Sequence, residues 1–298
     1  MTYCPVCPDK FQLKNYLILA SHFILQSNKS DSDHVRWLNQ NISKNKLDES
    51  ELSSKLTEFF DWTGNGLPKW IKQKFVKKFY SATPHPFVLA LQRPTRVTLL
   101  GYVFEHQHFL RQWVRSCSFI IAKTDQMDVT LYELDNINTE FIGISPEIPS
   151  HYEYLLRMGE SLGVNREQIL ETPPLPATQE AINFWQKLGE TGHWLEIMAA
   201  MHSLELIAYR NIKDEGATLT YFDPDILQSP DYTQETKGFL QEGYEADLTH
   251  ADEALALIEK YATGLDLIEM IQNAFLKSIE MFDRYLLARL ERSKDFES

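Results

Sequence analysis

Residues Arg96 to Lys123 read RVTLLGYVFEHQHFLRQWVRSCSFIIAK, and the fold turns on this stretch. Apolar residues occupy nearly every side of it, with no proline and one glycine to interrupt a helix. A helix apolar nearly all round belongs at the centre of a domain. Yet this one carries Glu105 and His108, three residues apart and so on one face, with Gly101, Tyr102, Phe109 and Ser116 sharing the same general side.

Further helices are predicted over residues 128–138, 152–162, 178–188, 193–212, 236–262 and 265–292. They are separated by Pro146, Pro149 and the run Thr172-Pro173-Pro174-Leu175-Pro176. No convincing alternating strand occurs, and 12 glycines and 13 prolines in 298 residues are few for an all-β chain. The expected fold class is therefore all-α. Residues 10–80 read as several short helices joined by polar connectors at Asn28 to Asp33 and Thr63 to Pro68. In the lysine-rich helix that follows, Ile71, Phe75 and Phe79 are expected to pack while the lysines stay solvated. The break Ser81-Ala82-Thr83-Pro84-His85-Pro86 sets the expected boundary: a helical extension over 1–84 packing on a core domain over 85–298.

A formal net charge of −13 argues against a general nucleic-acid binder, which needs a basic footprint. No apolar run is long enough to span a membrane, and Met1 to Pro5 lack the pattern of a signal peptide, so a cytoplasmic protein is expected. Three cysteines, Cys4, Cys7 and Cys117, fit a reducing compartment. Cys4 and Cys7 form a C-x-x-C pair. A structural zinc site needs four ligands, and neither a second C-x-x-C nor an H-x-x-x-H follows, so the pair reads as a mobile end carrying two thiols.

Two further polar groups fall on apolar faces. Glu205 lies in the stripe Trp194, Met198, Met201, Ala208, and Asp247 with His250 forms a second i, i+3 pair between Leu240 and Ala254. A buried carboxylate is costly unless it is paired, hydrogen-bonded or bound to metal. Helical dimetal proteins place carboxylates and histidines inward in this way.

The segment Gly101-Tyr102-Val103-Phe104-Glu105-His106-Gln107-His108-Phe109 resembles the first ligand helix of the heme-oxygenase-like diiron oxidases and oxygenases, among them UndA-like and CADD-like proteins. Ala199 to Glu205 resembles the helix giving their central Glu. Gly243 to His250 resembles their last motif, H-x-x-x-D-x-x-H. The resemblance covers about residues 85 to 298 and implies the heme-oxygenase-like helical bundle shared with TenA and PqqC. It also implies Glu105, His108, Glu205, Asp247 and His250 as metal ligands, with two Fe(II) ions, or Mn or no metal as alternatives. Gly243 stands where the family has its first motif histidine, leaving five of six ligand positions met.

The implied activity is O2-dependent oxidation of a small amino-acid, amine or fatty-acid-like substrate, with Tyr102, Phe109 and Gly243 as pocket residues. His106 and His202 are read as core or surface histidines. Arg115, Arg210 and Arg284 are weighed as receptors for a substrate carboxylate and read as surface residues. Two alternatives remain: a metal-free binding or interaction protein on the same fold, and TenA-like hydrolysis using Cys117. A homodimer is the default assembly for such folds.

Overall fold

The computed structural model describes residues 2–7, 12–143 and 148–297, with the side chains of 2, 3, 12, 61–65 and 244–249 outside the described set. Apart from a two-residue antiparallel hairpin pairing Thr2–Tyr3 (β1) with Gln12–Leu13 (β2), the elements are helical. Four helices precede the Pro84 break: α1 Tyr16–Asn28, α2 Ser32–Asn41, α3 Glu49–Asn65 and α4 Leu67–Phe79. Beyond it come α5 Pro86–Ala90, α6 Arg96–Lys123, α7 Met127–Ile137, α8 His151–Ser161, α9 Arg166–Glu171, α10 Pro176–Thr191, α11 Trp194–His202, α12 Gln234–Tyr261 and α13 Leu265–Ser293. The architecture is an all-α bundle.

The central helix is α6, with sixteen of its 28 residues buried. The Thr95 hydroxyl caps it by accepting from the Thr98 N–H, satisfying one of the first-turn donors that have no partner within the helix. It packs against α13, α10, α11, α7 and α8. Gly101 permits the approach of α13: a Cβ there would stand 2.1 Å from the Arg289 carbonyl oxygen. This glycine is required by helix–helix distance, since its backbone is ordinary helix.

Two sequence expectations need correction. The first is the boundary at residue 84. In α4, Leu67, Ile71, Phe75 and Phe79 join the main core, and the Phe79 ring meets Phe282 of α13 at 5.7 Å. The separate small core consists of residues from Cys4 to Leu56, with Phe59 and Phe60 packed on it, so the hydrophobic division falls between Phe60 and Leu67. Of the α4 lysines, Lys69, Lys74 and Lys77 are exposed as expected, whereas Lys72 and Lys78 are half-buried and pair with Asp252 at 2.7 Å and Glu280 at 3.0 Å.

The second is the single helix expected over 193–212. The α-helix ends at His202, and a 3₁₀ turn, Ser203–Ile207, replaces it. The Ser203 hydroxyl donates back to the Ala199 carbonyl at 2.6 Å, a competition with the helical ladder that favours termination. In 3₁₀ geometry side chains at i and i+3 eclipse, which stands Glu205 directly over His202.

Among the described residues no helix is long and apolar enough to cross a membrane.

Candidate functional site

A cavity of about 100 Å³ opens among α6, the 3₁₀ turn after α11, the start of α12, and α13. Its wall is largely aromatic: Tyr102, Phe109 and Trp113 from α6, Tyr221 and Phe222, Phe239 from α12, and Phe282 from α13. Besides the Tyr102 and Tyr221 hydroxyls, the polar groups are few. They are His106, Arg289, Glu205 and the pair Glu140–His151, whose Oε1 and Nδ1 lie 2.8 Å apart. An apolar pocket with a few convergent polar groups is the usual form of a small-molecule site.

Glu205 is the terminal member of a buried chain. Its Oε1 lies 2.9 Å from His202 Nδ1, and His202 Nε2 lies 2.9 and 3.1 Å from the two oxygens of Glu133. Both His202 and Glu133 are fully buried. Burial alone would lower the His202 pKa, but the Glu133 charge and the hydrogen bonds to Glu133 and Glu205 outweigh it and raise it to about 10. The ring is thus a protonated imidazolium donating to a carboxylate at each nitrogen. The second oxygen of Glu205, Oε2, is buried and has no hydrogen-bond partner among the described residues.

Cys117, Glu133 and His202 place their donor atoms within 4.8 Å of one another. The thiol is pushed well above its ordinary range by burial and then by Glu133, and Cys117 is not in the cavity wall. An inert thiol of this kind is a poor nucleophile.

The expected ligand residues do not assemble among the described side chains. Glu105 is fully buried, accepting from Arg292 Nε at 2.7 Å on one oxygen and from the Leu175 N–H at 3.2 Å on the other. Arg292 also donates to the Pro173 carbonyl at 2.7 Å, so the carboxylate fastens the Thr172–Leu175 loop to the end of α13. His108 Nε2 lies 3.0 Å from the Thr172 carbonyl, and burial lowers its pKa to about 4. Neither residue lines the cavity. His250 is half-buried, and its carbonyl accepts from the Tyr132 hydroxyl at 3.0 Å. The Asp247 side chain lies outside the described residues. Of the five, Glu205 is in the cavity wall, as are Tyr102, Phe109 and Gly243. A Cβ on Gly243 would meet nothing within 4 Å, so this helical glycine leaves open space beside the cavity.

At the N-terminus, the reading of Cys4 and Cys7 as a mobile end is corrected. Cys7 Sγ lies 3.3 Å from His22 Nε2 and 3.5 Å from His34 Nε2. Cys4 Sγ lies 3.5 Å from His34 Nε2, and the two imidazole Nε2 atoms are 3.2 Å apart. A tetrahedron with Zn–N of about 2.05 Å and Zn–S of about 2.3 Å has edges of about 3.3 Å between nitrogens and about 3.5 Å between nitrogen and sulfur. The observed spacings are those edges. Asp31 accepts from His34 Nδ1 at 2.8 Å, which fixes the tautomer with its Nε2 lone pair toward the cluster. Without a cation, burial and then the neighbouring Cys4 raise the Cys7 thiol to about 11; a bound dication reverses that balance.

The sequence model of the TENA/THI-4/PQQC family matches residues 70–293. The chain belongs to the TENA/THI-4/PQQC family. No curated protein sequence matches the chain. Similar solved structures include a heme oxygenase-like domain of unknown function from Shewanella denitrificans (16% identity, 85% of this chain and 97% of that one, TM-score 0.57). A TenA homologue from P. horikoshii aligns at 14% identity over 76% of this chain and 96% of that one, with a TM-score of 0.56. A CADD-like protein from Nostoc punctiforme aligns at 16% identity over 80% and 100%, with a TM-score of 0.56. At these identities the TENA/THI-4/PQQC likeness carries the fold, while the chemistry rests on the site. Residues 1–61 match a C2H2 type zinc-finger model, a segment lying wholly outside the TENA/THI-4/PQQC match.

Sequence reasoning missed Glu133, Arg289 and the His22–His34 half of the N-terminal cluster, and read His202 only as a core or surface histidine. Arg289 had a signal, because it continues the apolar face of Phe282 and Tyr285 on α13 and is 1% exposed. The zinc-type cluster was hidden by spacing: eleven residues separate His22 from His34, instead of the usual three to five.

Proposed function

We propose that the chain is an enzyme that takes a small, mostly apolar organic molecule into the α6–α13 cavity and acts on it by proton transfer at Glu205. The N-terminal module, in this reading, is held together by one zinc ion on Cys4, Cys7, His22 and His34. The observation that carries the catalytic part is the Glu205 Oε2 in a cavity wall, without a partner among the described residues, with Oε1 held 2.9 Å from His202. A carboxylate braced on one oxygen and bare on the other is placed to take or give a proton at a bound molecule. The His202–Glu133 pair behind it fixes its orientation, as the carboxylate behind a catalytic imidazole does in acyl-transfer triads. The aromatic wall keeps water away from the reacting atoms and stacks against a flat or hydrocarbon ligand.

The iron-dependent oxidase implied by the resemblance is the other reading. Glu205 in the cavity wall favours it. Against it, Glu105 is spent on Arg292 and Leu175, and His108 on Thr172. These residues do not fit a dimetal centre, and no step is assigned to iron.

The test is metabolite consumption. Wild-type protein and Glu205→Gln are incubated with a cell metabolite extract, with and without added Fe(II), and depleted compounds are followed by mass spectrometry. Depletion by the wild type that needs no added iron and falls at least about 100-fold in Glu205→Gln is expected. Depletion that appears only when Fe(II) and O2 are supplied, or that survives in Glu205→Gln, would overturn the proton-transfer reading.

A further inference from the structure

Among the described residues, Arg289 is a buried cation with no anion within ion-pair distance. Its side chain is 1% exposed and lines the cavity, and among the described residues no carboxylate oxygen lies within 4.0 Å of it. Its partners are neutral. One terminal nitrogen donates to the Tyr221 hydroxyl at 2.8 Å, and the other to the Tyr285 hydroxyl at 2.5 Å and to His106 Nδ1 at 2.8 Å. An imidazole side chain is neutral or cationic, so His106 adds no negative charge to offset the guanidinium. The rings of Tyr102, Tyr285 and Phe87 stack around the guanidinium at 4.1, 4.5 and 4.9 Å. Such rings offset only part of the cost of burying a charge.

Two donors near this cation have no acceptor among the described residues. One is Arg289 Nε, which is buried. The second is the Tyr102 hydroxyl. Tyr221 accepts from Arg289 and donates to the Tyr102 oxygen at 3.0 Å, which leaves the Tyr102 proton with no acceptor among the described residues. Tyr102 and Arg289 both line the cavity. A full positive charge with two spare donors beside an aromatic cavity is a receptor for a planar, singly charged anion. A phosphate dianion, with three oxygens to satisfy, fits this donor-poor and apolar wall less well.

We propose that Arg289 and Tyr102 bind a carboxylate on the small molecule that the cavity takes, with the part of the molecule to be deprotonated or protonated directed at Glu205. This rests on the reading of the cavity as a ligand site and names the substrate class for it: an aryl or alkyl carboxylic acid.

The experiment is isothermal titration calorimetry of the full chain with benzoate, phenylacetate and 3-phenylpropionate, each against its neutral amide. Wild type should bind at least one acid about tenfold or more tightly than its amide. Arg289→Met should abolish that preference. Tyr102→Phe, which keeps the ring and removes only the free donor, should weaken the acid several-fold and leave the amide unchanged; it serves also if Arg289→Met does not fold. Amides that bind as tightly as their acids would overturn the carboxylate site and leave the cavity reading standing. No heat and no thermal stabilisation from any acid or amide would overturn both.

Discussion

His202→Ala should lower stability by about 3–5 kcal/mol, because it leaves Glu133 and Glu205 facing each other in the core without the imidazolium between them. For a bundle of this size that corresponds to a fall of roughly 10 °C in melting temperature, measurable by calorimetry. The same network makes a pH signature. The folded-state pKa of His202 is about 10, above the ordinary value of 6.5. Its contribution to stability is therefore complete below about pH 6.5, erodes as the pH rises, and is gone once the pH passes about 10. Wild type should lose more stability between pH 7 and pH 10 than His202→Gln, compared by urea titration across that window. Equal losses would mean that His202 is not held protonated by the two carboxylates.

Cys7→Ser should unfold the N-terminal module while the bundle keeps its cooperative transition. The module's buried core is small: Cys4, Leu19, Ala20, Phe23, Ile42, Leu52 and Leu56, with Leu13 at its edge. Aromatic contacts such as Phe23 against Trp37 at 5.1 Å add to it. A core of that size does not fold alone without a staple, and a structural zinc site supplies apparent binding energies of about 10–16 kcal/mol in small finger domains. The main bundle has its own large core, including α4, and is joined to the module by surface contacts such as Lys55–Glu269 at 2.6 Å. Hydrogen exchange read by mass spectrometry should therefore show protection lost over residues 12–60 and retained over α6 and α13. Retained protection in both regions would show that the four donors contribute no metal-linked stability.

The helical bundle was legible because helix period and breakers dominate its sequence. The apolar α6, the prolines at 173, 174 and 176 and the long α12 and α13 all fall within a few residues of their expected limits. Where the reading failed, a local conformation or a long-range partner decided. Nothing in Met198 to Tyr209 announces a 3₁₀ turn at Ser203, yet that turn brings Glu205 over His202. Glu105 and His108 had the right residue types and spacing for metal. Their partners, Arg292 and the Thr172 carbonyl, lie far off in sequence and become visible only once α13 and the Pro173 loop are in place. Spacing alone does not distinguish a ligand pair from two buried groups satisfied separately. Arg289 teaches the converse: a charged residue in register with an apolar face is informative even when no motif includes it.

The most direct test is metal content per chain, measured by plasma mass spectrometry on wild type and Cys7→Ser purified with both zinc and ferrous iron supplied. Zinc near one equivalent in wild type, absent from Cys7→Ser, with no stoichiometric iron in either, is the expected result. It would leave the cavity to Glu205, Arg289 and their hydrogen-bond partners. Close to two irons per chain, retained in Cys7→Ser and lost in Glu205→Ala, would contradict it and place a dimetal centre in the bundle.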